Sequence, residues 1–221
     1  MAAIRPLLAL AACVVAGVGF PATGSHAAAQ KYLNPQFAEL TKDHKTIAIL
    51  PFKVTIDKNK LPKNVTLEMV AASEKEESVE FQRQLYARFL QRAQEDQYRI
   101  GFQDVDQTNT LLARSGISLD SLSLRTKDEI AKALGVDALV SGTVHQAQPT
   151  STGFAVAQTF LLGFSGHTQR VDINMTVHNG ADGTLLWSYD HTDKGGLMDS
   201  VEGMTKSLLK KVAGNFPYRK S

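Results

Sequence analysis

The sequence predicts one α/β (α+β) domain, a mixed β-sheet with helices packed on it, ending in a β-hairpin and an amphipathic helix. Three observations predict it. Thr46-Ile47-Ala48-Ile49-Leu50 is an apolar run without polar alternation, the pattern of a strand buried on both faces. Thr126-Lys127-Asp128-Glu129 is a capping box that opens a short helix. Gly135 stops that helix, and the apolar run from Ala138 to Val144 follows at once, as in an α/β unit. Between Gln169 and Tyr189, apolar and polar side chains alternate on both sides of a Gly- and Asp-containing turn, as a half-buried antiparallel pair requires.

The chain opens with Arg5, an apolar run from Leu7 to Phe20, and Ala27-Ala28-Ala29 before Gln30. Residues 1–29 therefore read as a signal peptide with Ala27 and Ala29 at the −3 and −1 positions of the cleavage site. The run falls short of the roughly 20 apolar residues that a transmembrane helix needs. A second reading uses Leu10-Ala11-Ala12-Cys13, which matches a lipoprotein box and would make a lipidated Cys13 the mature N-terminus. Against it, Val14 to Val18 stay apolar where such leaders turn polar. Cys13 is the only cysteine, so a chain starting near Gln30 forms no disulfide and relies on its packed core.

Residues 30–44 are expected to be a leader segment lying loosely on the domain, which spans 45–218. After the first strand and Pro51, residues 53–72, with Asn59 and Pro62, read as an irregular loop. Ser73-Glu74-Lys75-Glu76 is a capping box for a helix with Phe81, Leu85, Phe89 and Ala93 on one stripe, running to about Gln94. Tyr98 to Phe102 reads as a strand. Asp104-Val105-Asp106 leads into a short helix that ends at Gly116. In the hairpin, a five-residue turn at 179–183 predicts His178 opposite Thr184, Met175 opposite Trp187 and His191 opposite Val171, with the large apolar residues on one face. Leu197, Val201, Met204, Leu208 and Val212 mark the last helix, stopped by Gly214, and Phe216-Pro217-Tyr218 is expected to fold back onto the body.

With 24 basic and 22 acidic side chains the formal net charge is +2, without the one-sided basic excess of a nucleic-acid binder. The run Lys42, Lys45, Lys53, Lys58, Lys60 and Lys63 is broken by acids and apolar residues and reads as solvated surface. Asp104 and Asp106 are read as helix-capping acids rather than a metal pair. Ser207-Leu208-Leu209-Lys210 lacks the companion motifs of penicillin-recognising enzymes, and Gly163-Phe164-Ser165-Gly166 has the wrong spacing for a nucleophile elbow. His178 and His191 point to different faces of the hairpin, which removes a zinc pair. No cofactor or metal is expected.

The functional oddity is the apolar insertion at 149–167, where a connection between strands is ordinarily polar. Phe154, Val156, Phe160, Leu161, Leu162 and Phe164 form a candidate interaction surface; a buried cover for the sheet is the equal alternative. Full membrane insertion as a hairpin would place Arg170, Asp172 and Asn174 against a water-filled lumen, so docking to another protein is the milder reading. The leading expectation is a non-enzymatic exported envelope protein acting through other envelope proteins or further copies of itself, with possible rivals in two other classes. One is an exported hydrolase assembling Asp104, Asp106 or His145 in space. The other is a small-ligand sensor with an apolar pocket beneath the insertion.

Three pieces occur in order: Thr46-Ile47-Ala48-Ile49-Leu50-Pro51-Phe52, then Ala133 to Val144 with Gly135-Val136-Asp137 and Ser141-Gly142-Thr143, then Asp182-Gly183-Thr184-Leu185-Leu186-Trp187. Together they resemble the curli-secretion-channel lipoproteins and the penicillin-binding-protein activator lipoproteins. The resemblance implies a mixed-sheet domain in the periplasm at the outer membrane, without enzymatic activity, working through protein contacts and often in rings. The channel proteins carry a clear lipobox and two membrane hairpins per subunit. A single apolar insertion here implies an accessory or assembly factor rather than a pore.

Overall fold

The computed structural model describes residues 29–58, 61, 65–147, 170–193 and 201–220, the side chains of 201–205 excepted. Residues 1–28 of the expected signal peptide, Cys13 among them, and the insertion with its six named apolar residues lie outside the described residues. The elements are β1 (Gln30–Leu33), α1 (Phe37–Leu40), β2 (Thr46–Ile49), β3 (Lys53–Ile56), α2 (Leu67–Gln94), β4 (Gly101–Phe102), α3 (Val105–Arg114), α4 (Lys127–Leu134), β5 (Ala138–Ala147), β6 (Arg170–Asn179), β7 (Leu185–Asp193) and α5 (Val201–Gly214). The strands make one seven-stranded mixed sheet in the order β1-β7-β6-β5-β2-β4, with β3 continuing β2 along the edge of β5.

β2 lies between β4 and β5 and is parallel to both. The chain travels from β2 to β4 through α2, then back over β2 to β5 through α3 and α4. Parallel crossovers are right-handed, so opposite directions of travel put these helices on opposite faces of the sheet. On one face, Phe81, Leu85 and Phe89 of α2 and Leu208 and Val212 of α5 close over Val140, Ile173, Met175 and Trp187. On the other, Leu112, Ile130 and Leu134 cover Ala48, Leu50 and Leu139. Burying each such side chain is worth roughly 1.5–3 kcal/mol. Ile47 and Ala48, neighbours on β2, are both fully buried, as a two-faced core strand demands.

The local signals hold where a cap decides them. Asp104 caps α3, accepting from the backbone N–H groups of Asp106 and Gln107. Thr126 and Glu129 form the capping box of α4, and Gly135 closes it in the left-handed conformation at φ 66°. Gly116, at φ 68°, follows α3 in the same way.

Five expectations change. α2 starts at Leu67 behind Thr66, whose hydroxyl accepts from Met69 N–H at 3.2 Å, so Ser73 is buried inside the helix. Ser73 and Glu76 therefore close no capping box, and Glu74 accepts from the Ile56 N–H of β3 at 3.0 Å, satisfying an edge-strand donor. Residues 53–56, read as loop, are therefore strand. Of Tyr98 to Phe102, only the last two residues pair with β2, while Tyr98 bridges Arg219.

The hairpin register is the fourth change: Met175 faces Tyr189, Val177 faces Trp187 and Ile173 faces His191, with a bulge at Leu186. His178 pairs with Leu185, already one place from the expected Thr184, and the bulge adds a second place beyond it, an even step that keeps the apolar side chains on the core face. Residues 30–44 are the fifth change, since they belong to the fold rather than lying loosely on it. β1 pairs antiparallel with β7, and Phe37 and Thr41 are buried.

Phe216 and Tyr218 do fold back, both buried among Phe89, Tyr98, Phe102 and Trp187. Tyr98 Oη donates to the Ala213 carbonyl at 2.7 Å, and burial pushes its pKa up to about 12. Tyr218 Oη meets His44 Nδ1 at 2.7 Å beneath the Arg99 guanidinium, tying the C-terminus to the segment before β2.

Candidate functional site

The described residues cover the second face of the sheet only in part. β5 points Leu139, Ser141, Thr143 and His145 to this side, and β6 points Asp172, Asn174, Thr176 and His178. The apolar cover of α3 and α4 ends at Leu139, and from Ser141 onward the face is polar. A cleft of about 630 Å³ lies there, floored by Ser141, Thr143, Asn174, Thr176 and His178. Its walls come from three other places: the turn Leu50-Pro51-Phe52 between β2 and β3, the N-terminal half of α2 at Ala71, Glu74 and Ser78, and the chain between α3 and α4 at Leu119 and Leu122.

The turn exists because of a backbone mismatch. Ile49 pairs with Val140 and Lys53 with Thr143, so the β2–β3 side carries one residue more than β5 between these points. Pro51 has no N–H to give to the ladder and sits in that break. Phe52 turns inward and lies against Gly142, where a Cβ would stand 2.5 Å from the Phe52 ring and 2.2 Å from the Asn174 carbonyl oxygen. Gly142 is thus required by close approach of both.

The charges of the cleft do not balance. Lys58 pairs with Glu74 at 3.2 Å and Lys75 with Asp120 at 3.1 Å, which uses both acids. Lys127 and Lys53 form no ion pair among the described residues. Lys127 is the first residue of α4, where the positive end of the helix dipole disfavours a cation. Burial lowers its pKa. His178 is held down to about 4 by burial first and by the Lys127 charge second, so it is neutral at pH 7. Its Nδ1 is buried without a hydrogen-bond partner among the described residues. Ser141 Oγ and Thr176 Oγ1 lie 3.0 Å apart beside it.

The residues singled out for a hydrolase do not assemble. Asp104 is spent on the α3 cap, Asp106 lies 3.8 Å from Arg83 on the surface, and His145 Nδ1 is 3.1 Å from Thr55 Oγ1. None of the three lines the cleft. His191 lies on the opposite face from His178, with Nε2 3.1 Å from Lys211 Nζ. Among the described residues no group of His, Cys, Asp and Glu could hold a metal ion, and no helix is long and apolar enough to cross a membrane. Leu208 and Leu209, inside the Ser-x-x-Lys match, are core residues.

The insertion is anchored by a long ladder. β5 and β6 pair continuously from Ala138 with Asn179 to Ala147 with Arg170, so residues 148–169 join two adjacent antiparallel strand ends. Arg170 Nε donates to Asp172 at 2.8 Å at that end.

Lys127 and His178 were not singled out together by sequence reasoning. The alternation of β6 marked its polar face, but Lys127 reads as an ordinary helix-start residue. Only its position over β6 makes it part of a site.

No protein-family model matches the chain, and no curated protein sequence matches it. Solved structures are similar at low identity. Lipoprotein GNA1162 from Neisseria meningitidis is 15% identical at a TM-score of 0.42, over 76% of this chain and 94% of that one. The PelC dodecamer from Paraburkholderia phytofirmans is 13% identical at 0.42, over 83% and 94%. The LpoB C-terminal domain from Escherichia coli is 12% identical at 0.35, over 73% and 94%. These are likenesses of outline alone.

Proposed function

We propose that the protein is a non-enzymatic exported envelope protein, a periplasmic interaction module that supports assembly or secretion of envelope or surface structures. Its contact surface is the insertion at 149–167, with Phe154, Val156, Phe160, Leu161, Leu162 and Phe164 as the anchoring side chains. The observation that carries this reading is the β5–β6 ladder. Two antiparallel strands paired to their last residues need a connection of only about 2–5 residues. A long connection rich in Phe and Leu serves something other than closing the hairpin, and large apolar side chains in connections favour contact with a partner. Export is supported by the three-part leader and by β1, whose first residue, Gln30, directly follows the expected cleavage site. The partners are other envelope proteins or further copies of this chain.

The test is a double substitution, Phe160→Ser with Leu162→Ser, in the native host. The expected result is an unchanged unfolding transition together with loss of the large assembly or of membrane sedimentation seen for the parent. Unfolding of the variant would make the segment core and remove the reading. Mass spectrometry of the mature N-terminus separates a lipidated Cys13, which tethers the domain, from a soluble chain beginning at Gln30.

A further inference from the structure

The geometry points to the cleft on the β5–β6 face as a binding site for a small amphipathic anion, one carboxylate or phosphate group carried on a short apolar body. This goes beyond the proposed interaction role and does not depend on it. Both acids of the cleft are taken by Lys58 and Lys75, which leaves Lys127 as a half-buried ammonium with no counter-charge among the described residues. An unpaired, partly desolvated cation is costly, and an arriving anion removes that cost. The buried Nδ1 of His178 lacks a partner among the described residues, and in the tautomer that protonates it this atom donates to the same anion. Ser141 Oγ and Thr176 Oγ1 share one hydrogen bond; with Thr176 donating to Ser141, the Ser141 hydroxyl keeps its proton and adds one further donor on the floor. Leu119 and Leu122, facing Pro51 at the β2–β3 turn, supply an apolar wall for the body of the ligand. A cleft of about 630 Å³ suits a small molecule rather than a polymer segment.

The experiment titrates hexanoate, hexyl phosphate, hexan-1-ol and inorganic phosphate separately into the full-length protein, followed by calorimetry and thermal unfolding. Binding of hexanoate or hexyl phosphate, with hexan-1-ol much weaker, is the expected result. Which of the two binds tells carboxylate from phosphate. Lys127→Met should weaken binding about 10–100-fold, the value of one charge-assisted hydrogen bond, while Lys127→Arg retains it. Lys127→Met should also melt no lower than the parent, because it removes a cation from the positive end of α4, so the binding loss is not a folding defect. Hexan-1-ol binding as tightly as the anions, parental affinity in Lys127→Met, or no binding of any probe at millimolar concentration would each overturn the site. Inorganic phosphate binding as tightly as hexyl phosphate would overturn the apolar part of the ligand.

Discussion

Gln82 is the side chain on which the join between the two helical layers depends, and replacing it with Met tests that join. It is fully buried on α2, facing the end of β2. Its Nε2 donates to the Ile49 carbonyl at 2.6 Å and to Asn109 Oδ1 of α3 at 3.1 Å, and its Oε1 accepts from Asn109 Nδ2 at 3.0 Å. Two residues earlier the Ile47 carbonyl takes the Gln103 N–H, but β4 has ended by then and α3 begins, so no backbone donor reaches Ile49. Gln82 stands in for the missing strand.

Gln82→Met keeps the shape and removes the donor. The stranded carbonyl costs about 1–3 kcal/mol and the loosened Asn109 amide, which is half-buried and can turn to water, about 0.5–1 kcal/mol. A loss of about 2–3 kcal/mol lowers the melting temperature by about 4–12 °C in a chain of this size. Trp187 is the single tryptophan, buried and stacked on Tyr189, so its fluorescence follows urea unfolding directly. Gln82→Glu adds a sign test. Burial raises the folded pKa of the new carboxyl above its unfolded value near 4.3. Protonated, it still donates to Ile49, so its stability should approach the parent's below that unfolded value. The stability is then lost as pH rises through the higher folded pKa. A Gln82→Met variant within about 0.5 kcal/mol of the parent, or a Gln82→Glu variant whose deficit is independent of pH, would refute the reasoning.

Gly142→Ala should destabilise by about 2–4 kcal/mol, read from the same urea transition, because its Cβ meets the Asn174 carbonyl of the paired strand at 2.2 Å and a backbone cannot swing aside as a ring can; a near-parental midpoint would mean that β5 and β6 separate freely. His178 is neutral in the folded chain and takes up a proton near 6.5 when unfolded. Its contribution is therefore full above about pH 6.5 and is lost as pH falls toward its folded value of about 4. His178→Gln should flatten the fall in stability over that window without abolishing it, since burial also lowers the pKa values of His44 and His191. An unchanged slope would show that His178 is solvated.

How much was legible in the chain follows the range of each interaction. The caps at Asp104 and Thr126 and the stops at Gly116 and Gly135 were readable because a cap is a bond between residues two to five apart. The alternation along β6 was readable for the same reason, and it named the polar face that became the floor of the cleft. The start of α2 was misread because Ser73 and Glu76 offered a local capping box as good as the one that forms. What decided against it was distant, Glu74 bound to the Ile56 N–H across the edge of the sheet. The hairpin register turned on a turn one residue tighter than expected and on a bulge at Leu186, neither of which spacing alone marks.

The sequence by itself determined the class of fold and the order of most elements. Tertiary structure alone decided the site. The sequence separation of Lys127 and His178 says nothing of their sharing a cleft, because that depends on α4 being carried over β2 onto the second face and on its apolar cover ending at Leu139. Local chemistry fixes caps and faces within a few residues, whereas a cleft is the space left where long-range pairing brings one layer to an end over another.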